Sequence, residues 1–312
     1  MMSGRAIATS RRLLKNRLFL YGCLAGTSIA ILVLCVLMIS IAIEGWSSVS
    51  WHFLDSFASR KPAQAGIKAP LMGSVWVCVI CALVAIPMGI GTAIYLEEFA
   101  KHSRIKRLIQ LNISNLSGVP SIVYGILALA AFVRFFGINS SDDHWSIGDS
   151  ESFFYLHFPF GPSVLAGGLT LALVILPIMI IASQEAFRSV PQSLRQGALA
   201  LGSTQWQVIW RVSLPAALPT IMTGAILAMS RAIGEAAPLL VIGGFLLVFH
   251  TPTNLMSDFT VLPLQIFNWA GRPQGEFHKL AAAAILVQLV VLLVFNSAAI
   301  ILRHKLQKPL QS

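Results

Sequence analysis

Residues 196–240 read QGALALGSTQWQVIWRVSLPAALPTIMTGAILAMSRAIGEAAPLL, and the change of character halfway along decides the fold. The first half is polar and punctuated by Gly197 and Gly202, with too few apolar residues in a row to cross a membrane. The second half is apolar, yet it carries Arg231 and Glu235. A water-facing knob therefore leads directly into a membrane helix with charge inside it. Pro191 suits the first turn of a short helix that Gly202 would end. Thr204 and Gln207 form a T-x-x-Q capping box that would open a second short helix, and Pro215 is expected to break that helix at the membrane edge. Leu194, Leu199, Leu201, Val208 and Ile209 give the knob apolar surface that needs a cover.

The flanking sequence is mostly membrane. The 312 residues are 56% hydrophobic and 11% charged, well under the roughly one quarter charged that soluble domains carry. Charge-free stretches at 18–43, 69–96, 108–133, 158–184 and 280–302 each exceed the ~20 residues a helix needs to cross the bilayer. A sixth, 212–247, is interrupted only by Arg231 and Glu235. Six spans leave no room for a large soluble domain. With both ends on one side, segments 1–17, 97–107, 185–211 and 303–312 hold 15 of the 22 Lys and Arg, whereas 44–68, 134–157 and 248–279 hold 6. Basic residues gather on the cytoplasmic side, so both termini are predicted inside. The net charge of +10 is then a topology signal, set against anionic lipid and not a nucleic-acid surface.

Several local features take bland readings. The apolar run after Arg11, Arg12, Lys15 and Arg17 is too long for a signal-peptide core, and a retained anchor fits better. Cys78 and Cys81 form a C-x-x-C without a histidine or second pair nearby, so packing between helices is preferred to zinc or redox chemistry. Trp46, Trp51 and Phe53 suit the headgroup boundary. Asp142, Asp143, Asp149 and Glu151 cluster in the outer segment 134–157, but their spacing fits no EF-hand, and a solvated loop is expected. The third span holds Asn112, Ser114, Asn115, Ser117 and Ser121 with Gly118, Pro120 and Gly125, which places it in the bundle interior. There it would line a path or pack tightly on a neighbour.

No G-x-x-x-x-G-K-[ST] loop, H-E-x-x-H motif or nucleophile–base set is present, and the seven histidines are scattered, so a catalytic reading has little support. The loop is similar to the EAA loop of ABC-importer permeases, E-A-A-x3-G-x9-I-x-L-P. Gln196, Gly197 and Ala198, then Gly202, then Val212, Leu214 and Pro215 keep its spacing, with Gln for the acid, Gly for the first Ala and Val for Ile. The resemblance implies an all-α, six-span type I importer permease (MetI-like) fold in a bacterial cytoplasmic membrane, with coupling helices at 191–214 docking on an ATPase subunit. From AGIKAPLMGSVW, IYLEEFA, GVPSIVYGILAL and SRAIGEAAPLL, the chain resembles A-type permeases of bacterial phosphate importers over about 51–303. That resemblance implies a C-type permease partner, an ATPase dimer that uses ATP and Mg, and an external phosphate-binding protein, with no cofactor held by this chain. It divides the chain into a tail, first span and outer loop (1–68), a permease core (69–303) and a short tail (304–312).

Arg231 and Glu235 are four residues apart and can pair on one helix face. They would either lock helix packing as a neutral pair, or Arg231 would offer its guanidinium fork to an oxyanion in transit. Ser121 and Tyr124 are candidates for the same path. Import of another oxyanion, or a membrane assembly or sensory role without transport, are the competing functions.

Overall fold

The computed structural model describes residues 3–100, 103–135, 145–147, 155–244 and 248–307. The acidic group Asp142, Asp143, Asp149 and Glu151 lies outside the described residues.

Helix α1 (Ser3–Trp46) is followed by the short α2 (Trp51–Asp55), which Ser50 caps by accepting from the Phe53 N–H. Then come α3 (Lys68–Ile94), extended by a π turn at Tyr95–Phe99, and α4 (Arg104–Ser117). α5 (Ser121–Ala128) ends in a second π turn, Leu129–Val133. Strands β1 (Trp145–Ile147) and β2 (Leu156–Phe158) form a small antiparallel hairpin. α6 (Val164–Arg188) is capped by Ser163, whose hydroxyl accepts from the Ala166 N–H. α7 (Gln192–Ala200) and α8 (Gln205–Val208) make the knob, and α8 passes through a π turn (Ile209–Ser213) into α9 (Leu214–Gly234). The chain closes with α10 (Ala237–Val241), α11 (Leu262–Ala270) and α12 (Gly275–Gln307).

Five of these helices are long and apolar enough to span a membrane, and the bent pair of α4 and α5 makes a sixth if it is counted as one broken span and not as a re-entrant loop. α6 sits at the centre: two thirds of its most apolar window is buried, against none for α1. It packs on α3 and α9, and the core is built from Cys81, Leu171, Ile175 and Met179 with residues of α5, α9 and α10. α1 lies outermost, against α12 alone among the long helices. Small residues let the backbones close up, as expected without a hydrophobic drive between helices in lipid: a Cβ on Gly224 of α9 would fall 2.5 Å from Ala182 Cβ of α6. Cys78 and Cys81 are both free thiols, and Cys81 is fully buried, which agrees with packing between helices.

Three features bear on the sequence expectations. First, the bend that Gly118 and Pro120 allow is large: α4 and α5 meet there at 105°. Pro120 removes an N–H and Gly118 imposes no side chain, so the ladder stops there. Within the single chain, α5 buries Tyr124, Gly125 and Ala128, whereas the polar face of α4 is exposed. Asn112, Ser114, Asn115 and Ser117 point out of the subunit, with Asn112 and Ser117 hydrogen-bonding their own helix. Second, Pro215 does not break its helix. Gln205–Gly234 runs as one span because the π turn absorbs an extra residue, with the Leu214 N–H donating to the Ile209 carbonyl. Pro215 then falls in the first turn of α9, where a missing N–H costs little. The knob is therefore one free-standing helix, α7, beside the projecting end of a span. Third, the apolar run 212–247 is not one helix: α9 stops at Gly234, Glu235 is extended (φ −81°, ψ 118°), and α10 starts afresh.

Candidate functional site

The knob is built by local rules. The hydroxyl of Thr204 accepts from the Gln207 N–H at 3.3 Å, and the Gln207 side chain accepts from the Thr204 N–H at 2.9 Å, which completes the capping box. Gly202 turns the chain at φ +84°, the left-handed region that β-carbons resist. α7 has no buried residue; Leu194 and Leu199 are half exposed, and Leu201 at the turn is 89% exposed. Trp206 and Trp210 of the span's projecting end are also more than half exposed and stack edge to face at 5.6 Å. These apolar side chains have no cover among the described residues.

The EAA-like residues fall into two groups. Gln196 and Gly197 are exposed on α7 and Ala198 is half-buried beside them, with Gly202 at the turn. Val212, Leu214 and Pro215 lie at the base of α9, where Leu214 packs on a core of Ala93, Phe187, Val190 and Ile221. The first group is on the surface, and the second is its footing.

A set of ion pairs that sequence reading missed holds the knob to the bundle. Glu97, in the π turn after α3, accepts from Gln184 Nε2 at 3.0 Å and from Arg188 Nη2 at 2.8 Å; Arg188 also reaches Glu185 at 3.1 Å. The next residue, Glu98, pairs with Arg195 of α7 at 3.2 Å, and both side chains are largely buried (8% and 18% exposed). Arg195 also donates to the Phe187 carbonyl, and Gln205 donates to the Glu98 carbonyl. Phe99 packs on Trp206 with ring centres 6.1 Å apart. Glu97 and Glu98 thus fasten the ends of α3 and α6 to α7 and α8. A signal was available: Glu97, Glu98 and Glu185 are the only acids in the four basic segments, and all three are paired.

Within the membrane, Arg231 Nε donates to Glu235 Oε1 at 3.1 Å. The pair forms across the end of α9, not along one helix face, because Glu235 lies just past Gly234. It is lopsided: the carboxylate is tucked in at 17% exposure, and the guanidinium is 47% exposed. Among the described residues only Nε makes a hydrogen bond, which leaves both Nη groups of the fork without one. Position in the last turn of α9 also suits a cation, because the helix dipole is negative there. Tyr124 is buried within electrostatic reach of Arg231, but its hydroxyl donates to the Leu116 carbonyl at 2.8 Å and so braces the α4–α5 bend. Ser121 is half-buried at the start of α5 and makes no hydrogen bond to the pair among the described residues. No group of three or more candidate metal-binding side chains occurs among the described residues.

Comparison with known proteins adds the following. Residues 85–308 match the family model described as binding-protein-dependent transport system inner membrane component. The chain is 32% identical over 294 residues to the probable ABC transporter permease protein YqgI of Bacillus subtilis, covering 90% of this chain and 91% of that protein. It is 33% identical to the phosphate transport system permease protein PstC of Pasteurella multocida, with 84% of each covered. It is 29% identical to PstA 1 of Mycobacterium tuberculosis, with 95% of this chain and 90% of that protein covered. Among solved structures, the bacterial alginate ABC transporter aligns with TM-score 0.64 at 18% identity, over 91% of this chain and 93% of that one. The methionine transporter MetNI aligns with TM-score 0.54 at 14% identity, over 75% and 93%. The fold is therefore that of type I ABC-importer permeases.

Proposed function

The chain belongs to the family of inner membrane components of binding-protein-dependent transport systems, and from that premise we propose that it is the A-type half of an ATP-driven phosphate importer. It is a multi-pass permease subunit, and such subunits do not themselves hydrolyse ATP. Phosphate is favoured because relatives named for phosphate transport, both PstA and PstC, match over most of the chain. The A-type assignment rests on the SRAIGEAAPLL continuation after the R-A-I-G-E core. The remaining partners would be a C-type permease, an ATPase dimer under α7 that binds the nucleotide and Mg, and an external phosphate-binding protein.

The observation that carries the reading is the lopsided pair: a half-exposed guanidinium with two free Nη groups, partly neutralised by an inner carboxylate. Such a group can give an oxyanion charge-assisted hydrogen bonds, while Glu235 keeps the site near neutral when empty. A single, partly offset arginine makes a weak site, which suits an ion that must leave again; tight capture would belong to the external protein. Closure of the ATPase dimer would push α7, and the clamp at Glu97 and Glu98 would pass that movement to α3, α6 and α9. The test is reconstitution of the chain with its candidate partners and uptake of labelled phosphate against labelled sulfate. Phosphate uptake, lost in Arg231→Gln while the complex still assembles and hydrolyses ATP, is the expected result. Equal uptake by wild type and Arg231→Gln would refute the role of Arg231, and preference for sulfate would refute the substrate.

A further inference from the structure

We infer that the start of α4 and the end of α6 form a binding site for the headgroup of an anionic phospholipid of the inner leaflet. An open groove of about 600 Å³ lies there, lined by Arg104, Lys106, Arg107 and Arg188, with Ser103, Gln110 and Glu97 completing its wall. Arg188 is already engaged by Glu97 and Glu185, but the cluster of four cations faces one lining acid. Arg104, Lys106 and Arg107 have no carboxylate partner among the described residues. Three unpaired cations around one groove attract a phosphodiester, and the guanidinium groups can chelate it.

The surroundings select a lipid over a free ion. α4 is amphipathic: Ile105, Leu108 and Leu111 are more than half exposed, while Ile109 and Ile113 pack with Leu96 and Ile180. A headgroup in the groove would lay its acyl chains along those exposed residues, giving the arrangement of a basic, apolar-faced helix at a membrane surface. A free oxyanion would leave that apolar strip unused. The site also touches the clamp, because Arg188 and Glu97 belong to both. A bound phosphodiester competes with Glu97 for Arg188, so occupancy bears on the tie between the ends of α3 and α6.

The orientation is taken from the proposed function; lipid preference is read without transport, so the two ideas fail separately. The full-length protein is purified in detergent, offered equal amounts of phosphatidylglycerol and phosphatidylcholine, and the retained lipid is counted by native mass spectrometry. Wild type is expected to keep phosphatidylglycerol by about tenfold over phosphatidylcholine, a difference of ~1.4 kcal/mol. Arg104→Gln/Lys106→Gln/Arg107→Gln is expected to lose that preference, and Arg11→Gln/Arg12→Gln/Lys15→Gln to keep it. Retention by the first triple variant, or equal loss in the second, would overturn the site. Displacement of the lipid from wild type by millimolar inorganic phosphate would assign the groove to a free oxyanion and overturn the lipid; this arm needs no variant to fold.

Discussion

Replacing Glu98 by Gln removes one charge from the clamp while keeping size and one acceptor. At 3.2 Å, an effective dielectric of 20 gives about 5 kcal/mol of gross attraction between Glu98 and Arg195. Desolvation offsets much of this. Exposed pairs contribute up to ~1 kcal/mol, whereas removing one partner of a fully buried pair costs ~3–5 kcal/mol. The Glu98 and Arg195 side chains are 8% and 18% exposed, which places the pair between those limits, at about 2 kcal/mol. That shifts the balance between held and released α7 by roughly 30-fold. Arg195 would keep its bond to the Phe187 carbonyl, and Gln205 its bond to the Glu98 carbonyl, so the loss is of coupling and not of the fold. The assay has two arms: amide hydrogen exchange across 192–200, and substrate uptake per ATP hydrolysed in proteoliposomes with the partner subunits. Faster exchange confined to α7 and a lower uptake-to-hydrolysis ratio are expected. Glu97→Gln should do less to α7, because its partners Gln184 and Arg188 lie on α6. Exchange and coupling both within twofold of wild type in Glu98→Gln would refute the clamp.

Other consequences follow from particular contacts. In Gly125→Ala the new methyl would lie 2.8 Å from the Pro238 backbone, so α5 and α10 must separate; a loss of about 1–3 kcal/mol should appear as a lower melting temperature in detergent. In Thr204→Ala the capping box is lost, and about 1 kcal/mol of local stability should be read as faster exchange at 205–208. Gly202→Val puts a β-branched residue at φ +84°, at a cost of ~1–3 kcal/mol, with open space around it; looser attachment of α7 without loss of the transmembrane fold is expected by limited proteolysis. Ser230 donates to Asn296 at 2.7 Å and joins α9 to α12, so Ser230→Ala should cost about 0.6 kcal/mol, the average for such bonds in membranes, and leave assembly on gel filtration unchanged.

The spans were legible because apolar length is a one-dimensional property: α1, α3, α6 and α12 all contain the runs that announce them. The capping box at Thr204 and the pairing of Arg231 with Glu235 were legible for the same reason, since each depends on residues no more than four apart. What the sequence hid depends on distant partners or on small backbone choices. Glu97 meets residues 87 and 91 positions away, and Glu98 one 107 away, so the clamp exists only once α3, α6 and α8 are side by side. The π turn at Ile209–Ser213 has no side-chain signature, and Pro215 was misread as a stop because that turn makes it a first-turn residue. The third stretch was placed inside because Asn112, Ser114, Asn115 and Ser117 disfavour a lipid-facing helix; in the single chain these four side chains are exposed.

The central claim is that α7 faces the cytosol and meets the ATPase there. A cysteine at Gly197 tests it directly, since the position is open and a Cβ there meets no atom within 4 Å. In vesicles carrying the partner subunits, Gly197→Cys should react with a membrane-impermeant maleimide only when the cytosolic side is outward. It should also cross-link to a cysteine in the ATPase groove. Labelling from the external side, with no cross-link to the ATPase, would contradict the account.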